Sequence, residues 1–185
     1  MKPTRINQLY QAIFTELRII NYPMHFALAV MDCFSRYLLV LRVSSSTTTQ
    51  DLTKGLDEAL REARKVSELA KDGVITLVTD GGPRVTASEF SDYISGKPFH
   101  HVPCTTRPFR SLGMVKRLIW ALKDEEINLH EYRDPVEAQL SLERFRCTYN
   151  FVRPHQALRY RVPADLFCAK SADSAFKNQD NLKIS

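Results

Sequence analysis

Apolar runs separated by turn residues divide the first third of the chain. Ile13 to Ile20 alternates apolar and polar positions, Met24 to Met31 is almost wholly apolar, and Tyr37 to Val43 is apolar but for Arg42. Asn21-Tyr-Pro23 and Asp32-Cys-Phe-Ser35-Arg36 stand between them, so the pattern predicts three antiparallel strands in a meander. Leu52, Leu56, Ala59, Leu60 and Ala63 then recur at three-to-four spacing behind a Ser/Thr-rich lead, which predicts a helix over about 49–69. Val74 to Val78 reads as an interior strand broken by Gly81-Gly82, and Thr86 with Glu89 resembles a capping box before a short helix over about 90–94. Phe99 to Val102 is a last strand. Helices over about 114–127 and 135–150 follow, the second opened by Pro135. The order is β-β-β-α-β-α-β with helices after it, an α/β chain with one mixed five-stranded sheet.

A length of 185 residues fits one domain with a full core. The expected division is a flexible lead-in over 1–11, a core over 12–167 and a polar tail over 168–185. No apolar run approaches the ~18 residues of a membrane span, and no secretory pattern opens the chain, which leads to an expectation of a cytoplasmic protein with no membrane partner. Cys33, Cys104, Cys147 and Cys168 are irregularly spaced without a C-x-x-C pair, so they read as free thiols. The net charge of +5 permits a polyanionic partner.

Asp80 ends the Val74–Val78 strand, the edge where α/β sheets place their chemistry. Taken alone, Asp-Gly-Gly reads first as an aspartate capping its own turn. Four motifs change the weighing. Met31-Asp-Cys-Phe-Ser-Arg-Tyr37 resembles D-x-[FH]-S-R-Y, and Val78-Thr-Asp80-Gly-Gly resembles T-D-N-G. Arg107-Pro-x4-Gly113-x2-Lys116-Arg117 resembles the pattern of R-P followed by G-x-x-E-R, and Tyr149-Asn150-x-x-Arg153-Pro-His155-x-x-Leu158 resembles Y-N-x-x-R-P-H-x-x-L. In this order they identify the chain as similar to the catalytic core of insertion-sequence transposases and retroviral-type integrases, over roughly residues 12 to 167. The resemblance implies a ribonuclease H-like fold, a place in DNA integration, and an Asp-Asp-Glu triad holding two Mg2+ or Mn2+ ions.

Asp80 matches the second acid of that triad. Position 116 stands where the family has its Glu, and it is Lys116. Glu16 is the nearest acid in the first strand, so the triad reads Glu16, Asp80, Lys116, with Glu16 and Asp80 the remaining candidate metal ligands. A lysine ~4 Å from a divalent ion is repelled by about 8 kcal/mol at an effective dielectric near 20. Lys116 is therefore expected to sit beside Glu16 and Asp80 and replace the metal, leaving a pseudo-enzyme. Glu125 and Glu126 lie nine and ten residues past 116, ~13 Å along a helix, too far to substitute. An active enzyme with a rearranged triad is the alternative, and its cofactor would be Mg2+ or Mn2+.

The resemblance also places the loop and helix around position 116 against DNA. Arg107, Arg110, Lys116, Arg117, Lys123, Arg153 and His155 are the candidate nucleic-acid contacts, for weak, salt-dependent and sequence-independent binding. Trp120 and Phe145 read as core. A homodimer, or a hetero-assembly with an active transposase, is the other expected partnership.

Overall fold

The computed structural model describes residues 2–66, 73–104 and 112–169. Five strands form one sheet in the order β3-β2-β1-β4-β5. They are β1 (Leu9–Leu17), β2 (His25–Asp32), β3 (Leu38–Ser44), β4 (Ile75–Thr79) and β5 (Phe99–Pro103). The first three pair antiparallel, while β4 runs parallel to β1 and to β5. This is the mixed ribonuclease H-like sheet expected from the order of elements. Strand β1 starts at Leu9, four residues before the alternation that begins at Ile13, and the lead-in is tied down. Pro3 is buried, and the Asn7 amide donates to the Asp32 carboxylate at 2.9 Å.

Period-two alternation sends the side chains of each strand to two helical layers. On one face Tyr10, Ala12, Leu28 and Leu77 pack against α1 (Thr49–Arg64) and α3 (Ser88–Ser95). On the other, Leu9, Leu17, Ala29 and Val78 pack against α4 (Gly113–Leu122) and α5 (Pro135–Phe151). Leu52, Leu56 and Leu60 of α1 are buried, each contributing roughly 1.5–3 kcal/mol. Gly55 lets this helix settle onto the sheet, because a Cβ there would run into the Leu28 side chain.

The helix ends follow local chemistry. Thr48 and Asp51 form a reciprocal capping box on α1. Asp134 caps α5 through the amides of Val136 and Glu137, with Pro135 in the first turn. The Thr86–Glu89 capping box does not form. Pro83 opens an earlier single turn, α2 (Pro83–Thr86), and Thr86 closes it by donating to the Pro83 carbonyl at 3.0 Å. Helix α1 ends at Arg64, capped by Lys65, and 67–69 lie outside the described residues. A π turn, Lys123–Ile127, extends α4. No helix among the described residues is long and apolar enough to cross a membrane.

Candidate active site and its basic surroundings

Strand β4 delivers Asp80 to its C-terminal edge, and Gly81 turns the chain at φ 67°, a conformation that glycine adopts without strain. The Asp80 carboxylate is taken by Arg84, whose Nη1 lies 3.2 and 3.0 Å from its two oxygens. Three further contacts fix Arg84. Its Nε donates to the Thr47 carbonyl at 2.9 Å, its guanidinium stands 4.8 Å from the Phe14 ring centroid, and its own carbonyl accepts from Thr49 Oγ1. Lys116 was the cation expected on Asp80; the one that the structure pairs with it is Arg84, four residues downstream in sequence.

The register of β1 corrects the other expected ligand. Gln11 pairs with Val78, so two residues on, Ile13 comes level with Asp80. Ile13 packs in the α4 layer and Phe14 in the α1 layer. Glu16 therefore faces the α1 side, opposite to Ile13, about 10 Å further along the strand. It is exposed and pairs across β2 with Phe26. Glu16 and Asp80 do not converge, because a three-residue offset changes both level and face. Gln11, buried, accepts from the Val115 amide at 2.9 Å through Oε1 and so ties the first turn of α4 to the sheet. Lys116 follows directly, half-buried.

The donors at this edge do not fit a pair of divalent ions. Asp80 is occupied by a guanidinium, Ile13 offers no oxygen, and position 116 is a cation. No three His, Cys, Asp or Glu side chains cluster among the described residues. Three other acids have partners elsewhere: Glu126 accepts from Tyr132 and Ser141, Glu125 pairs with Arg153, and Asp32 accepts from Asn7 and Ser35. Burial raises the Asp32 carboxyl above its ordinary value despite these bonds.

The basic candidates divide. Arg107 and Arg110 lie outside the described residues. Arg117, Arg153 and His155 line one cleft together with Arg36, while Lys123 belongs to the π turn. Trp120, expected in the core, is 71% exposed; spacings of four and three put it on the face of Lys116 and Lys123. Phe145 is buried as expected. Sequence reasoning missed Arg84, Ile13, Gln11 and Arg36. An i,i+4 pairing from Asp80 would have found Arg84, and Arg36 stands inside the Ser-Arg-Tyr motif already quoted.

Solved structures share the fold at low identity. A chain of the simian T-cell lymphotropic virus intasome in complex with PP2A regulatory subunit B56 gamma is 16% identical, with a TM-score of 0.70 over 93% of this chain. This chain spans 58% of that one. The HTLV-2 integrase catalytic core domain in complex with magnesium, in its dimeric form, is 15% identical with a TM-score of 0.63, covering 89% of this chain and 98% of that chain. The catalytic core domain of BIV integrase is 15% identical with a TM-score of 0.62, over 87% and 93% respectively. No curated protein matches the chain in sequence. Two family models, both described as integrase core domain, match residues 3–108 and 105–163. The first alone covers more than half of the 185 residues, and the chain belongs to the integrase core domain family.

Proposed function

We propose that this protein is a core of the DNA-integration class that binds nucleic acid and does not itself transfer DNA strands. The observation that carries this reading is the state of the β4 edge: Asp80 is paired with Arg84, and the neighbouring position on β1 is Ile13. Two-ion phosphoryl transfer needs several carboxylates to gather and space the ions. Here one carboxylate remains and its charge is neutralised internally. The test is cleavage of end-labelled duplex DNA in Mg2+ and in Mn2+ by the native chain and by Asp80→Asn. The expected result is no cleavage that depends on Asp80; Asp80-dependent cleavage would establish the active alternative with a rearranged ligand set.

A second reading, as a non-catalytic partner of itself or of an active transposase, is favoured by the outer face of α5. Val136 and Leu140 lie one turn apart there and are 69% and 56% exposed. The relevant observation is mass in solution with and without short duplex DNA. A dimer without DNA supports assembly; a shift only on adding DNA supports binding alone.

A further inference from the structure

A second cationic feature lies away from the Asp80 edge, where four segments meet: the N-terminal lead-in, the Cys33–Arg36 turn, the start of α4, and the chain beyond α5. One cleft there, of about 210 Å³, is lined by Arg36, Arg117, Arg153 and His155 among others. Another, of about 530 Å³, is lined by Lys2, Arg36, Arg159 and Arg161. Arg36, Met114 and Ala157 belong to both, so the two make one trough. Lys2, Arg36, Arg117, Arg153, Arg159 and Arg161 place six cations along it, one more than the net charge of +5 carried by the whole chain. Among the described residues, neither cleft has an Asp or Glu in its lining. Arg153 is paired with Glu125, while Arg36 and Arg117 have no ion pair among the described residues.

The backbone is held in costly conformations to make this arrangement. Arg36, Arg159 and Tyr160 have φ of 65°, 57° and 62°, in the left-handed region that disfavours side chains. Such conformations are strained for residues with a side chain and persist only where the surroundings dictate them. At Arg36 the surroundings are Asp32 and Ser35: the Ser35 amide and hydroxyl donate to Asp32 at 2.8 and 2.6 Å, and the Tyr37 amide donates to Ser35 Oγ at 3.1 Å. At Arg159 and Tyr160 they are the His155 amide on the Arg161 carbonyl and the Tyr160 amide on the His155 carbonyl, at 3.0 and 2.9 Å. Burial, and to a lesser degree the charge of Arg117, push the Arg36 guanidinium below its ordinary value. The His155 Nε2 is buried without a hydrogen-bond partner. Like charges, five of the six without an ion pair among the described residues, on a strained, well-fastened scaffold indicate a bound anion.

We infer that this trough is a binding site for the phosphate backbone of a nucleic-acid strand, separate from the Asp80 edge. It rests on the nucleic-acid-binding reading above and extends it to Lys2, Arg36, Arg159 and Arg161. The Cys33 amide meets β1 at the Leu9 carbonyl, 2.9 Å away. That point is four residues, about 13 Å, back from the level of Asp80, on the opposite side of β1 from β4. One orthophosphate carries about two charges, too few for six cations, whereas a strand repeats its charge along both clefts.

The test is fluorescence anisotropy of labelled single-stranded and duplex oligonucleotides of several sequences with the full chain, from 50 to 200 mM salt. Arg36→Gly removes the cation and suits the left-handed turn; Arg117→Ala and Arg159→Gly are the companions, with Lys54→Ala on α1 as control and circular dichroism reporting folding. The expected outcome is weaker binding for each trough variant, about tenfold for Arg36→Gly with Arg117→Ala, equally for all sequences. The slope of log K against log salt should fall by about 1 per cation removed. Inorganic pyrophosphate at millimolar concentration should compete only partially; full displacement at micromolar concentration would assign the trough to a small free anion and overturn the inference. Native binding that the folded trough variants retain, with unchanged slope, overturns it while leaving the nucleic-acid reading intact. No binding by the native chain at 50 mM salt overturns both.

Discussion

At the scale of single residues, the motif positions of this chain act on backbone as much as on ligand. Asn150 is fully buried, and its side-chain amide takes the place of a missing strand neighbour: Oδ1 accepts from the Leu38 amide at 2.8 Å and Nδ2 donates to the Leu38 carbonyl at 3.0 Å. Both backbone polar groups of one residue at the head of β3 bond to that side chain, and the carbonyl has one further, longer contact, from Arg146 Nη1 at 3.4 Å. Asn150→Leu keeps the volume, strands the buried Leu38 donor and leaves its carbonyl only the long Arg146 contact, so it should lower stability by about 2–4 kcal/mol in a denaturant titration. Asn150→Asp should behave differently with pH. The carboxylate cannot donate to the Leu38 carbonyl and is desolvated, so its folded pKa rises above the unfolded value. The native state then binds the extra proton, and the loss of stability should be larger at pH 8 than at pH 5. Equal losses at the two pH values would mean that the amide does not donate there.

At the scale of elements, the ends of helices carry the local instructions. Asp51 shows how one cap can be read through pH. Burial raises its carboxyl, but hydrogen bonds from Ser46 and Thr48 outweigh this and hold it below the ordinary value. The unfolded chain therefore binds more protons than the native one on the acid side. Its contribution is present in full above about pH 4 and drains away as pH falls through the folded value. Asp51→Asn should cost about 1 kcal/mol at pH 7, and the gap between native and variant unfolding midpoints should close as pH falls through the folded value. These caps are also why so much of the fold was legible. Thr48, Pro135 and the Gly81-Gly82 break mark boundaries by local chemistry, and the strands of the meander announce themselves by alternation. What was not legible depends on partners distant in sequence or on competition between neighbours. The Thr86 cap lost to the earlier start at Pro83. Trp120 is apolar by composition but stands on the solvent side of α4. Glu16 was the nearest acid to the expected frame, yet only the pairing of β1 with β4 shows that it lies at the wrong level and on the wrong face.

At the scale of the whole molecule, the fold keeps the places from which an acidic site could be assembled. Ile13 stands level with Asp80 in the α4 layer, and Gln11 fixes the first turn of α4, from which Lys116 projects. Register therefore predicts that Ile13→Asp with Lys116→Glu creates a Mn2+ site beside Asp80, while Glu16→Asp with Lys116→Glu does not. The magnitudes allow this to be seen. Placing a carboxylate at partly buried Ile13 should cost about 2–3 kcal/mol, lowering the melting temperature of the metal-free variant. A ligand at 100 times its Kd returns about 2.7 kcal/mol, enough to restore most of that loss. Calorimetric titration with Mn2+, alongside melting curves with and without the ion, separates the cases. The Ile13 pair of substitutions should bind the ion and recover stability, the Glu16 pair should do neither, and adding Arg84→Gln to the first should tighten binding by releasing Asp80. Binding by the Glu16 pair instead would show that the two strands meet in a different register, and would return Glu16 to the site.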